Sequence, residues 1–283
     1  MTSRRCRSVL FAASAVFSGL ALIAACGDDS GSSGSGKVLK VYSGRHYGIE
    51  RAYELFEQQT GITVKFLNGD DAELRERIAA EGADTEADVY LTVDAGNLAA
   101  AADQGIFQPL DSEVLQRVIP AQLRDPDNLW FGLAVRYRTI VYTANEAWLP
   151  ADEVPTTYEE LADPKWKGRL CLRRSVDAYQ QSLVASMIAA DGYDATLETV
   201  RGWVDNAQIL PNDVILIDTI AAGGCDVGIA NHYYLARELA ENPDLPVKLV
   251  WAEQDGRGVH VNVSGGGVTK YADDPELARQ FLE

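Results

Sequence analysis

The chain has 283 residues, with 42 acidic against 25 basic side chains, a formal charge of −17 and 47% hydrophobic residues. That is enough for one large domain or two lobes with separate cores. A surface this acidic repels phosphate backbones and anionic lipid, which excludes nucleic acid as the expected partner.

Residues 1–25 read as a signal peptide, outside any fold. Arg4, Arg5 and Arg7 make a basic head, SVLFAASAVFSGLALIAA is an apolar run, and LIAAC is a small-residue cleavage site ending at Cys26. The pattern resembles a bacterial lipoprotein signal, in which Cys26 is the lipidated residue; an ordinary secretory peptide with a chance cysteine is the alternative. Residues 26–37 carry the run GDDSGSSGSG, a flexible tether. The expected location is therefore extracytoplasmic, lipid-anchored to the cell membrane, at the cell surface or in the periplasm. The removed segment holds three arginines and no acid, so the remainder has 22 basic and 42 acidic residues, a charge of −20.

A strand, KVLKVYSG, opens the fold. The helix GIERAYELFEQQTG follows, with Ala52, Leu55 and Phe56 on one face and Gly61 as its stop. Strand ITVKFLNG, helix DAELRERIAAEG, strand ADVYLTVD and helix GNLAAAADQG continue the alternation, which predicts a parallel sheet covered on both faces. WFGLAVRYRTIVYTAN is a long extended run suited to crossing between lobes. On it Arg136 and Arg138 share a face with Ala134, Ile140 and Tyr142, so each arginine needs a buried partner or reaches solvent at a hinge. EVPTTYEELADPKWKGRLCLRR reads as turn, short helix, loop and strand. AYQQSLVASMIAADGYDATLETVRGWVDNA reads as two helices broken at Asp191–Gly192, and DVILIDTIAAGGCDVGIANHYYLARELAENP as helix, strand and helix. The tail carries strands, with VSGGGV read as a turn leaving one of them. A last helix is capped by Asp274 and Pro275 and meets Glu283 without a stop signal, so the C-terminus is expected to be truncated.

Cys6 leaves with the signal and Cys26 carries lipid. Cys171 and Cys225 remain, and in an exported chain the expected outcome is a disulfide between them. No nucleophile elbow, P-loop, HExxH or dinucleotide fingerprint is present, so no enzyme is predicted. The tyrosines stand out instead. His46 and Tyr47 follow the first strand, Tyr179 begins the helix after RLCLRR, and Tyr233 and Tyr234 begin the helix after CDVGIA. These corners lie beyond carboxyl ends of strands, where open α/β sheets collect ligands. Phenols suit a hard, highly charged ion that deprotonates them: Fe(III) fits better than zinc or calcium. An aromatic cage for an organic cation is the open alternative.

YSGRHY, DPKWKGRLCLR, AYQQSLVAS, AAGGCDVGIANHYYLAR and HVNVSGGGVTKYA resemble the periplasmic ferric-iron-binding proteins of bacterial ABC importers, over nearly the whole chain after the tether. The resemblance implies an α/β, two-lobe periplasmic-binding-protein fold of type II kind, its lobes joined by two crossover strands, AVRYRTIVY and HVNVSG. It implies lobes of 38–135 plus 262–283 and of 136–261. It also implies Fe(3+) as transported ligand, with a synergistic anion beside it in some relatives. The implied ligands are Tyr47, Tyr179, Tyr233 and Tyr234, with His46 beside them. Arg45, Arg136 and Asp94 are expected around the metal, although Asp94 also reads as a helix cap. His232 replaces a small polar residue and has no assigned role. Implied partners are an ABC permease and ferric iron, with the chain a monomer. The rival reading keeps the fold and exchanges iron for an organic or anionic solute such as a polyamine, thiamine or a phosphonate.

Overall fold

The computed structural model describes residues 36–45 and 50–283. The signal peptide, Cys26, most of the tether, His46 and Tyr47 lie outside the described residues.

The first half alternates as expected: β1 (Val38–Ser43), α1 (Glu50–Thr60), β2 (Thr63–Asn68), α2 (Asp71–Glu81), β3 (Val89–Thr92) and α3 (Ala95–Asp103). β1 lies between β2 and β3, parallel to both. The helix α1 keeps Phe56 inward as expected but turns Ala52 and Leu55 outward. Leu55 is 43% exposed. The inward side carries Tyr53 and Phe56, whose rings meet Phe66 of β2 and Phe281. Large aromatics with aromatic neighbours outcompete the smaller Ala52 and Leu55 for the sheet. A short helix, α4 (Glu113–Val118), was not predicted; Ser112 caps it by accepting from Leu115 N at 3.1 Å.

The long strand β4 (Phe131–Thr143) changes partners along its length. Residues 131–138 pair antiparallel with β9 (His260–Val268). Residues 138–142 pair with β7 (Val227–Asn231), and 140–143 with β8 (Val247–Val250). Strand β9 does the same, running from β4 to β3. Among the described residues the sheet order is β2-β1-β3-β9-β4-β7-β5-β6, with β8 on β4. β5 is Leu170–Arg173 and β6 is Ala207–Leu210, an edge strand that the sequence reading missed. β4 and β9 are thus the two crossover strands between two lobes.

The glycine run 265–267 is not a turn. It lies within β9, opposite Thr92, Leu91 and Tyr90 of β3. A Cβ at Gly265 would stand 2.3 Å from the Phe131 carbonyl oxygen, and one at Gly266 2.4 Å from a Leu91 methyl. The backbones approach too closely there for any side chain.

Helices α5 (Ala178–Asp191), α6 (Tyr193–Asn206), α7 (Asp213–Ala221) and α8 (His232–Glu241) fall where predicted. The last, α9 (Pro275–Leu282), is capped by Asp274 accepting from Leu277 N at 3.0 Å. The apolar cores divide with the crossovers. Leu39, Val89, Phe131 and Leu277 share a core on one side, while Leu170, Leu183, Trp203 and Ile229 share one on the other. Each such side chain, fully buried, contributes about 1.5–3 kcal/mol. Cys171 and Cys225 form the expected disulfide, with Cα atoms 5.9 Å apart, tying β5 to the turn before β7.

Neither arginine on the crossover reaches solvent. Arg138 is 1% exposed and paired with Asp213; Arg136 is 5% exposed. The buried-partner alternative is realised by Arg138, whereas Arg136 is buried against the Ser264 hydroxyl and the Tyr179 ring.

Candidate metal centre

A cleft of about 290 Å³ opens over the crossover strands. Its walls come from both lobes. Arg45 follows β1 and Val93 follows β3; Ala134, Val135 and Arg136 come from β4 and Ser264 from β9. Tyr179 begins α5, and α8 supplies His232, Tyr233 and Arg237. Among the described residues the lining holds phenols and three arginines and no carboxylate, an electropositive spot in an acidic chain.

The strand-to-helix corners do the positioning. β5 and β7 are adjacent and parallel, so the helices after them, α5 and α8, start on the same edge of the sheet. Tyr179 is 8% exposed. The Arg136 and Arg173 guanidiniums sit 4.8 and 5.0 Å from its ring centre. The ring centres of Tyr233 and Tyr234 are 4.4 Å apart, so the adjacent phenols lie together as the opening turn of a helix allows. Tyr233 lines the cleft, while Tyr234 leans on the core around Leu216, Ile220 and Leu235.

The arginines are anchored unequally. Arg136 donates from Nη1 to Ser264 Oγ at 3.0 Å, while its buried Nη2 and the buried Nε of Arg45 have no acceptor among the described protein atoms. Donors in that condition suit a negatively charged guest or ligand set. Arg173, 2.9 Å from Asp177 and 3.8 Å from Asp213, is held firmly protonated: burial works against its charge, and Asp177, Asp213 and Tyr234 outweigh it.

Asp94 is absent from the lining and fully occupied. It caps α3, accepting from Asn97 N at 3.0 Å, and its other oxygen accepts from Asn262 Nδ2 at 2.8 Å. Asn262 also donates to Ser182 Oγ on α5 at 2.6 Å, and its carbonyl accepts from Ala95 N at 3.0 Å. One side chain on crossover β9 thereby ties α3 to α5 across the lobes. Ser182 Oγ lies 3.1 Å from Nε2 of His260, whose pKa burial and the charges of Arg138 and Arg136 push down to about 4.

Sequence reasoning brought Tyr179, Tyr233, Tyr234, Arg45 and Arg136 to this region. It missed Arg237, Ser264 and the Asn262 bridge. Arg237 was readable, because four residues from Tyr233 it shares that tyrosine's helix face. Ser264 and Asn262 were not, since their role depends on which strand pairs with which. Among the described residues no group of three His, Cys, Asp or Glu side chains could hold a metal. The oxygens that line the cleft among the described residues include the phenols of Tyr179 and Tyr233.

Residues 84–283 match the family model described as bacterial extracellular solute-binding protein. Iron uptake protein A1 of Synechocystis sp. is 42% identical over 296 residues, spanning 99% of this chain and 81% of its own length. A Trichodesmium protein solved in complex with iron and citrate ligands superposes with a TM-score of 0.77 at 42% identity, covering 87% of this chain and 79% of that one. The ferric binding protein from Campylobacter jejuni superposes with a TM-score of 0.79 at 31% identity, covering 86% and 79%.

Proposed function

This chain belongs to the bacterial extracellular solute-binding proteins, and from that premise we propose that it captures Fe(III) outside the cytoplasm and delivers it to an ABC permease. Its task is binding and release, with no catalysed reaction. The observation that carries the reading is the gathering of Tyr179 and Tyr233 in one cleft, with Tyr234 beside Tyr233 and arginines around them. The ligands in this reading are Tyr47, Tyr179, Tyr233 and Tyr234, with His46 beside them. The identity to an iron uptake protein and the likeness to structures named for iron support it.

The charge balance is favourable. Four phenolates leave Fe(III) with a net charge of −1, and a neutral His46 does not change it. Arg45, Arg136 and Arg237 in the cleft wall offset that charge, while Asp94 acts on the lobe contact through Asn262. Lobes of 38–135 plus 262–283 and of 136–261 would close on the ion by bending at β4 and β9. Cys26 lipidation and the tether would keep the protein, a monomer, near its permease.

The three arginines also favour a second reading, in which an anionic solute such as a phosphonate occupies the cleft. Adding ferric citrate to iron-free protein separates the two. A visible phenolate-to-iron band, unaffected by excess phosphonate, is expected; a colourless protein whose phosphonate binding saturates would favour the second reading.

A further inference from the structure

The ladder between β4 and β7 ends at the pair Arg138–Asn231. One step further, Tyr137 would face residue 232, but the chain has already turned into α8 and the backbone of His232 is committed to the helix. The amide of Tyr137 finds a different acceptor: it donates to Nδ1 of the His232 side chain at 3.2 Å. The imidazole thus supplies one more rung, at the point where β4 leaves one lobe for the other.

Around this rung the rings interlock. His232 stands edge-on to Tyr137 at 5.2 Å and to Tyr233 at 6.0 Å, and lies 6.0 Å from Trp251. His232 also forms part of the cleft wall beside Tyr233. With Nδ1 accepting, the neutral ring carries its proton on Nε2.

We propose that His232 is a positioning residue that fixes the first turn of α8, and with it Tyr233 and Tyr234, to crossover strand β4. The inference rests on the ferric reading of those tyrosines, and it explains why a histidine precedes them. Bending of β4 during lobe closure is then transmitted to the phenol pair through one side chain, because Tyr137 and the start of α8 move together.

Two variants test it. His232→Leu removes the acceptor while keeping an apolar side chain. His232→Asn returns an acceptor oxygen close to the Nδ1 position, without the ring. Amide hydrogen exchange at Tyr137 in the iron-free chain reads the rung itself, and Fe(III) affinity with the visible band reads its consequence. His232→Leu should speed Tyr137 exchange and weaken Fe(III) binding, each by roughly five- to tenfold, the effect of one hydrogen bond. His232→Asn should restore most of both. Unchanged exchange and affinity in His232→Leu overturn the proposal, as does His232→Asn behaving like His232→Leu, which would assign the effect to ring packing. A wild-type chain with no iron band contradicts the ferric reading, while the exchange arm, needing no iron, still decides whether His232 holds the strand.

Discussion

Replacing Asp213 by asparagine should be one of the most damaging single-atom changes in the chain. Asp213 is 0% exposed and accepts from Arg138 Nη1 at 3.2 and 3.4 Å and from Asn231 N at 3.2 Å. Arg138 is itself 1% exposed, with Gln180 Oε1 and the Ile229 carbonyl as further acceptors at 3.1 Å each. Asp213→Asn keeps the shape and one acceptor oxygen but strands the guanidinium charge. Breaking a buried pair from one side costs about 3–5 kcal/mol, and the retained oxygen places this case near 3. For a chain of this size that lowers Tm by roughly 6–12 °C, readable by calorimetry at pH 7 alongside the guanidinium chloride midpoint. Arg138→Met combined with Asp213→Leu should recover part of the loss, because no lone charge remains. A loss below about 1 kcal/mol for Asp213→Asn would refute the reasoning, showing that the amide and carbonyl partners carry the Arg138 charge unaided. The consequence reaches the cleft, since Asn231 directly precedes the helix with the tyrosine pair.

Cys171→Ser with Cys225→Ser should lower stability by about 2–4 kcal/mol, given the long loop the bond closes; two free thiols titrating in the unfolded, unreduced wild type would show that no such bond forms. Burial sets two opposed pH dependences. The His260 pKa is depressed from 6.5 to about 4, so its contribution is present above pH 6.5 and lost as pH falls through 4; that of Asp71 is raised from 3.8 to about 6, so its contribution is present below pH 3.8 and lost as pH rises through 6. Each amounts to roughly 3 kcal/mol. His260→Gln should therefore gain on the wild type as pH falls from 6.5 to 4, and Asp71→Asn as pH rises from 4 to 6; stability profiles parallel to the wild type would contradict both. Asn262→Leu deletes the bonds to Asp94 and Ser182, and small-angle scattering of the iron-free protein should show a larger radius of gyration, an unchanged radius counting against the bridge.

Much of the fold was legible because its signals are local. Alternating apolar runs, the caps Asp94 and Asp274, and the break at Asp191–Gly192 each act within a few residues, and the elements formed there. The misses depend on distant partners. The face of α1 was decided by Phe66 and Phe281, the latter more than 200 residues away. The 265–267 glycines looked like a turn because local chemistry cannot reveal that β3 and the start of β4 press against them. At the site, the tyrosine corners were visible from strand–helix order, and Arg237 follows from helical spacing. The role of Asn262 exists only once β9 is paired with β4, and that of His232 only once β7 is, so no window of sequence contains them.

The most direct test of the central claim is a ferric citrate titration of the wild type beside Tyr233→Phe and Tyr234→Phe, followed by the visible band. Removing each hydroxyl keeps the ring, and with it the 4.4 Å packing of the pair, while deleting the metal bond that the proposed function assigns to it. The account expects a strong band in the wild type, with affinity sharply reduced and the band shifted or bleached in each variant. Tyr193→Phe, at a site 64% exposed on α6, should match the wild type. Iron affinity and spectrum intact in both Tyr233→Phe and Tyr234→Phe would contradict the account, because the pair would then not be ligands.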